Sequence, residues 1–551
     1  MIHSKSDFEY MDVMTAFVNW GAYLLTILFT VLALTISPLY FIGLSIAGPL
    51  ALLSIRDRLQ TKHSILRNYP IMGHLRFAFE SIRPEIMQYF VETDTDGRPF
   101  SRNERTVVYE RAKSLLDDKP FGTELNAYST EYEWLNHSIA PHAKATLPAD
   151  GTSDPFRLDI GGPQCSKPYS SSIYNISAMS FGALSGNAIM ALNKGAKKGG
   201  FYHDTGEGSI SPYHRKYGGD LVWELGSGYF GCRTEDGEFD QARFAEQAVD
   251  DQVKMIEIKV SQGAKAGHGG VLPAAKISKE IAETRGIPMG KDCISPAFHK
   301  AFGTPIEMMH FIEMLRTESG GKPVGFKLCI GRPSEFMGIC KAILETDILP
   351  DFIVIDGGEG GTGAGPIEFL DHMGTPLTEG LLFAHNVLVG TGLRDKIRIG
   401  CSAKIVTAFG IASKMATGAD WCNAARGFMF AVGCIQAQRC QTNTCPVGVA
   451  TQDPKRQKAI VVSDKAERVY NFHRNTLDAL SQVVAAAGLD HPNQFEPIHI
   501  SRRVSPTNVL SYEDLYDYLE PNELLEGSDN ALYRKYWERA TADAFCGPVA
   551  V

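Results

Sequence analysis

Between Asp12 and Arg56 the chain carries no Asp, Glu, Lys or Arg. A membrane-spanning helix needs about 20 consecutive, largely apolar residues. The stretch therefore predicts two, at 16–36 and 39–55, with Ser37 and Pro38 in the turn. Its flanks differ: Lys5 precedes it among Asp7, Glu9 and Asp12, whereas Arg56, Arg58, Lys62 and Arg67 follow. The positive-inside rule then puts both ends of the hairpin, and the long remainder of the chain with them, on the cytoplasmic side of a membrane. Length and an acidic start set the segment apart from a signal peptide. Pro49 and the shorter second run leave one span plus an interfacial segment as the alternative.

Residues 61–165 are polar and rich in Arg and turn residues, and predict a small mixed cap domain without evident chemistry. From about Tyr169 the pattern changes. Apolar runs at 173–179, 201–204, 221–225, 255–260, 324–329, 352–355, 397–401 and 421–424 end in small or polar residues and lead into helical stretches. That alternation predicts an α/β fold, a (β/α)8 TIM barrel over 166–455 with its site at the C-terminal strand ends. The unusual sequences fall there: Ser-Phe-Gly-Ala-Leu-Ser at 180–185, Thr-Gly-Glu-Gly at 205–208, Gly-Ser-Gly-Tyr-Phe-Gly at 226–231, Ser-Gln-Gly-Ala-Lys at 261–265 and a glycine-rich turn at 356–363. Beyond Gln452, Val469, Phe472, Leu477, Leu480 and Val484 recur at helical spacing within 464–487, and Gly488 supplies a stop. The remaining tail reads as a docking strap. The predicted domains are 1–60, 61–165, 166–455 and a helical extension at 456–551.

Composition changes this picture little. A net charge of −9 and the lack of a basic, aromatic-laced strip argue against a nucleic-acid role. Eleven Cys in 551 residues do not form a disulfide framework, and predict reduced thiols.

Three of those thiols carry chemistry. Cys434, Cys440 and Cys445 follow a C-x5-C-x4-C spacing, with Pro446 after the last. Closely spaced thiolates on a loop hold iron–sulfur clusters, and three suit a three-iron cluster or a four-iron cluster with a fourth ligand other than Cys. Incidental thiols are the alternative, and zinc a third reading, though zinc sites usually pair ligands as C-x2-4-C. Just upstream, Cys-Asn-Ala-Ala-Arg-Gly at 422–427 reads as a strand ending in small residues before a helix, a form that lets backbone N–H groups approach a phosphate. Together they suggest a flavin beside an electron relay.

Longer motifs bear this out: Ile-Ser-Ala-Met-Ser-Phe-Gly-Ala-Leu-Ser at 176–185, Glu-Ile-Lys-Val-Ser-Gln-Gly-Ala-Lys at 257–265, Gly-Gly-Thr-Gly-Ala at 360–364 and Asn-Thr-Cys-Pro-Val-Gly-Val-Ala-Thr-Gln at 443–452. Over about residues 165–460 the chain resembles the FMN-binding domain of glutamate synthase large subunits. As a whole it resembles the short, stand-alone members of that family with a membrane hairpin. The resemblance implies an FMN-carrying barrel and a 3Fe-4S cluster on Cys434, Cys440 and Cys445. It puts the backbone of Ala178, Met179 and Ser180 under the flavin, with Gly361, Thr362 and Gly363 also at the cofactor. Lys327 would approach the flavin N1/O2 side, and Ser402 with Ala425, Arg426 and Gly427 would hold the phosphate. Gln262, Lys265 and Arg285 match positions that bind the 2-oxo-dicarboxylate. His268 stands where the large synthases have Glu and is a candidate proton donor; Val271 replaces a substrate-binding Gln. Glu224 replaces a Gln near the flavin and is expected to pair with Lys327.

An amidotransferase domain of this family uses an N-terminal Cys, whereas this chain opens Met-Ile-His and its first Cys is Cys165. No NAD-binding fingerprint is evident. Ammonia and electrons are thus expected from elsewhere, from a separate ammonia-supplying subunit and an external electron donor or acceptor. The expected reaction is reduction of a 2-imino acid, from 2-oxoglutarate and ammonia, to L-glutamate through FMN and the cluster, in a homo-oligomer at the membrane. The alternative is a membrane-bound FMN/Fe-S oxidoreductase acting on another amino acid or amine and exchanging electrons with quinone. A redox sensor or scaffold without turnover is the alternative of another class.

Overall fold

The computed structural model describes residues 5–148, 151 and 154–546. Met1-Ile-His3, on which the argument about an N-terminal Cys draws, lies outside them. The chain divides into two compact units, Met1–Arg102 and Asn103–Val551.

In the first unit, α1 (Lys5–Thr35) and α2 (Phe41–Leu59) form a hairpin. Its turn is the short 3-10 segment Pro38–Tyr40, where Ser37 Oγ accepts from the Leu39 N–H. Val13–Thr35 and Pro38–Leu59 are each long and apolar enough to cross a membrane. The second helix runs straight through Pro49. Apolar side chains such as Phe17, Leu24, Ile27, Ile42 and Leu52 face outward. The polar groups turn inward: Tyr23 Oη donates to Ser54 Oγ at 2.8 Å, which donates to Asn19 Oδ1 at 2.9 Å. In an apolar surrounding such groups must satisfy one another, and here they join the two helices.

The second unit is built on a closed barrel of eight parallel strands. They are β1 (Tyr174–Ile176), β2 (His203–Asp204), β3 (Leu221–Leu225), β4 (Val253–Lys259), β5 (Val324–Leu328), β6 (Phe352–Asp356), β7 (Arg398–Ser402) and β8 (Trp421–Ala424). Each of the eight predicted runs contains a strand, though only 174–176 of the run 173–179 and 203–204 of the run 201–204 are extended. Parallel barrel strands are covered on both faces, hence their nearly continuous apolar sequences; Trp223, Phe326 and Trp421 are fully buried among them. The register sets the mouth: Glu224 lies opposite Glu257, Lys327 opposite Lys259, Asp356 opposite Ser402 and Ser402 opposite Asn423.

The helix after β1, α3 (Gly186–Gly199), is capped by Ser185 and ends on left-handed Gly200 (φ 67°). The helix expected at 464–487 is α4 (Val462–Ala486). It packs on α3 so closely that a Cβ at Gly195 would sit 2.6 Å from the Val469 side chain. The tail holds more than a strap. Ile500–Ser505 and Asn508–Ser511 form a three-stranded antiparallel sheet with Glu133–Leu135, so the segment before the barrel and the one after it share one sheet.

Candidate active site

Four charged side chains on adjacent strands lie buried in the barrel: Asp204 on β2, Glu224 on β3, Glu257 on β4 and Lys327 on β5. The Lys327 ammonium donates to the Glu224 carboxylate and lies 3.3 Å from Glu257. The expected Glu224–Lys327 pair is therefore present. The three acids bring oxygens within 4.8 Å of one another, and Lys327 is their shared cation. Like charges so close in a dry interior cannot all ionise. Burial pushes Asp204 up to about 7, Glu224 adding to the effect and Lys327 opposing it. Burial raises Glu257 too, with Asp204 and Glu224 adding to it. For Lys327, burial favours the neutral form, but Glu224, Glu257 and Asp204 outweigh it and keep the ammonium charged. Asp204 and Glu257 were not singled out in the sequence; for Glu257 an acid within the apolar run Met-Ile-Glu-Ile was the available signal, and His203–Asp204 offered none.

The loops above this floor gather further cations. Glu207, in the turn after β2, pairs with Lys259 at 3.0 Å. Burial pushes Glu207 up, yet Lys259, Lys265 and Arg285 pull it down to about 2. Lys265 and Arg285 are only 4 % and 5 % exposed, and among the described residues neither has a carboxylate within 4 Å. Burial lowers Lys265 to about 8 against the pull of Glu207. Arg285 donates to Phe181 O at 3.1 Å and Ser180 Oγ at 3.4 Å, lies 5.2 Å over the Phe230 ring and leaves its Nε without a partner. Gln262 reaches the Gly361 carbonyl at 3.3 Å. Its neighbour Gly263 donates to Asp356 Oδ2 at 2.7 Å and must be glycine, since a Cβ would meet Gly357 O at 1.6 Å. The His268 Nδ1 lies 2.7 Å from Gly269 O, which makes Nδ1 the protonated nitrogen and leaves Nε2 free to exchange a proton. Val271 lies in the same loop, paired with Ile294.

On the other side of the mouth, Ser402 ends β7 and donates to Asp356 Oδ1 at 2.5 Å. Ala425, Arg426 and Gly427 follow β8 at the start of the short helix Arg426–Ala431, which has no side-chain cap. The first N–H groups of a helix lack intrahelical partners, and the loops after strands 7 and 8 are the usual phosphate site of such barrels. Arg426 donates to Glu359 O at 2.8 Å. Burial lowers it to about 10, with Asp356 and Glu359 opposing. Gly361 packs on this guanidinium, and a Cβ there would fall 2.7 Å from Arg426 Nε. Thr362 Oγ1 turns inward to Ala364 O at 3.2 Å, while Gly363 has open space around it. Ala178, Met179 and Ser180 form the turn after β1, held by Met179 N–H to Asp204 O at 3.3 Å and Ser177 N–H to Ala424 O at 3.1 Å.

The cysteine loop closes the same side. Its backbone curls through left-handed positions at Gly433, Gln436, Gln438 and Asn443 (φ 112°, 58°, 52° and 60°). The Gln436 N–H points at Cys434 Sγ, 3.4 Å away. Burial lifts the Cys434 thiol to about 12, Cys440 and Cys445 adding to it. Cys440 is raised by burial and by Cys445, with Lys276 opposing. Lys276, also missed in the sequence, is buried without a carboxylate partner within 4 Å among the described residues. Its ammonium donates to Ala183 O at 2.7 Å, Cys440 O at 3.2 Å and Ala450 O at 3.5 Å. Burial lowers it to about 8, and Cys440 and Cys445 oppose that. Gln452 Nε2 donates to Gly182 O and Leu184 O at 3.0 and 2.8 Å. The cysteine loop is thus fastened to the turn after β1.

A barrel enzyme with its chemistry at the C-terminal mouth is the class that this geometry defines. The chain belongs to the glutamate synthase family, as a glutamate synthase-like oxidoreductase: the conserved region in glutamate synthase is matched over residues 136–490. It is 39 % identical over 512 residues to the glutamate synthase large subunit-like protein YerD of Bacillus subtilis, covering 86 % of this chain and 97 % of that one. It is 33 % identical over 316 residues to the archaeal glutamate synthase [NADPH] of Methanocaldococcus jannaschii, covering 57 % of this chain and 59 % of that protein. Against the glutamate synthase [NADPH] large chain of B. subtilis, identity is 30 % over 354 residues, 62 % of this chain and 22 % of the relative.

Proposed function

We propose that the protein reduces a 2-imino acid, formed from 2-oxoglutarate and ammonia, to L-glutamate, using FMN and an iron–sulfur cluster at a membrane surface. The observation that carries this reading is the pair Lys265 and Arg285, two buried cations at a barrel mouth that among the described residues have no carboxylate within 4 Å, one guanidinium nitrogen of Arg285 being unpartnered. A dicarboxylate supplies the two anionic groups that such a pair lacks. The residues fit the cofactors. The N–H groups at 425–427 and Ser402 suit a phosphate, the open turn at Gly363 leaves room beside it, and Lys327 offers a buried positive charge. Cys434, Cys440 and Cys445 are close enough for Cys440 and Cys445 to bear on the Cys434 thiol, and burial makes metal-free thiolates at Cys434 and Cys440 costly.

When bound, FMN supplies hydride transfer and the cluster one-electron transfer. The protein's own part is position and charge. Arg285, Lys265 and the Gln262 amide hold the carboxylates and orient the carbon to be reduced. His268, its Nδ1–H committed to Gly269 O, delivers a proton through Nε2 once doubly protonated. Ammonia and electrons come from a separate subunit and an external donor, and the α1–α2 hairpin anchors the chain with the barrel on the cytoplasmic side. The test is anaerobic purification followed by visible and EPR spectra and a glutamate assay with 2-oxoglutarate, ammonia and reduced donor. Flavin and cluster signals without glutamate would reject the substrate.

The apolar Val271–Ile294 pair in the substrate loop favours a second reading, oxidation of another amine or amino acid with transfer to quinone. Product analysis over a panel of amines with a quinone analogue separates the two.

A further inference from the structure

Downstream of the hairpin, within the first unit, the helix Gly73–Ile86 continues into one π turn at Met87–Val91. Leu75, Phe79, Ile82 and Ile86 recur at i, i+4, i+7 and i+11, one stripe along one helix face. All are exposed, Phe79 by 65 %, and Phe90 beyond the helix end by 85 %. Of the helix residues only Gly73 is buried, packed against Leu66. The start of the helix is fixed to the hairpin. Buried Asp57, near the end of α2, accepts from the Ile71 N–H at 3.1 Å and contacts His74 Nε2 at 2.8 Å. The striped helix therefore begins beside the base of the hairpin.

Charge names the occupant. From residue 56 to 86 the chain carries Arg56, Arg58, Lys62, Arg67, Arg76 and Arg83 against Asp57, Glu80 and Glu85, a positive segment in a protein of net charge −9. Arg76 and Arg83 stand next to the stripe, lining a shallow hollow with Phe79, Glu80, Ile86 and Met87. An apolar stripe edged by Arg on a helix beside a membrane span is the form that lies in a headgroup layer.

We propose that Leu75, Phe79, Ile82, Ile86 and Phe90 rest in the headgroup layer of an anionic bilayer, the one that α1 and α2 cross. The proposal rests on the membrane reading of that hairpin. The test places photoreactive benzoylphenylalanine singly at Ile27 and at Phe79 of the full chain, in vesicles of equal phosphatidylglycerol and phosphatidylcholine. Lipid adducts are expected at both positions. Replacing Arg76 and Arg83 together with Glu is expected to cut the yield at position 79 by about five-fold or more, leaving position 27 unchanged. Lipid adducts at 27 with cross-links from 79 to residues 103–551, or to a second chain, overturn the proposal and leave the hairpin standing. Absence of lipid adducts at both positions rejects the two together.

Discussion

Arg285 keeps a positive charge buried at the mouth with one guanidinium nitrogen unpartnered. A group in that state binds an anion far better than its neutral replacement does. Arg285→Met is expected to lower kcat/KM for the dicarboxylate roughly 10- to 100-fold, the size of one charged hydrogen bond, chiefly through KM. Steady-state kinetics check this, and an unchanged KM would remove Arg285 from the substrate. Below it, Asp204 gives a pH signature. Its folded-state pKa of about 7 exceeds the ordinary carboxylate value of about 4. Between those values the folded protein holds a proton that the unfolded chain releases, so stability falls as pH rises through the window and levels off above 7. Asp204→Asn is expected to flatten that slope, raising Tm at pH 8 relative to the parent more than at pH 5. Equal Tm differences at the two pH values would mean that the carboxyl is ionised throughout.

At the scale of elements, α3 and α4 meet through Gly195, where a methyl group has no room beside Val469. Gly195→Ala is expected to cost about 1–3 kcal/mol by overpacking. Val469→Ala in the same chain should restore part of the loss, which a double-mutant cycle on denaturant unfolding measures. Additive effects would show that the contact is not shared. The same elements show what a sequence can disclose. The eight strands were legible because burial on both faces writes long apolar runs, and α4 because one face repeats every three to four residues. Ile500–Ser505 was not: four of the six residues in Ile-Ser-Arg-Arg-Val-Ser are polar, and it is a strand because Glu133–Leu135, more than 350 residues earlier, offers it an edge. Asp204 and Glu257 were hidden for a related reason. Their meaning comes from Lys327 on another strand, and the pairing of β2 to β5 side by side brings them together. The candidate loops were legible as glycine-rich turns and motifs; their charge balance was not.

At the scale of the molecule, the cysteine loop and the turn after β1 are separate stretches of chain that must keep a fixed spacing if electrons are to pass between a cluster and a flavin. Lys276 joins them, donating to Ala183 on one side and Cys440 on the other. A lysine among alanines reads as surface in the sequence, and the fold alone shows it buried. Its charge also has a sign with consequences. In the proposed cluster on Cys434, Cys440 and Cys445, an added electron would put negative charge beside this ammonium, which would favour the reduced form in a low-dielectric interior. Lys276→Met removes that attraction and is expected to shift the cluster midpoint to more negative potential, while Lys276→Arg keeps it near the parent value. EPR-monitored redox titration reads the midpoint without turnover, and the flavin spectrum reports whether the turn after β1 has kept its shape. A midpoint unmoved in the Met variant, with cluster and flavin signals intact, would reduce Lys276 to a strut between two loops. A lowered midpoint with unchanged flavin binding would show that the Lys276 charge biases the direction in which electrons run between the two redox groups, independently of its contacts to the two loops.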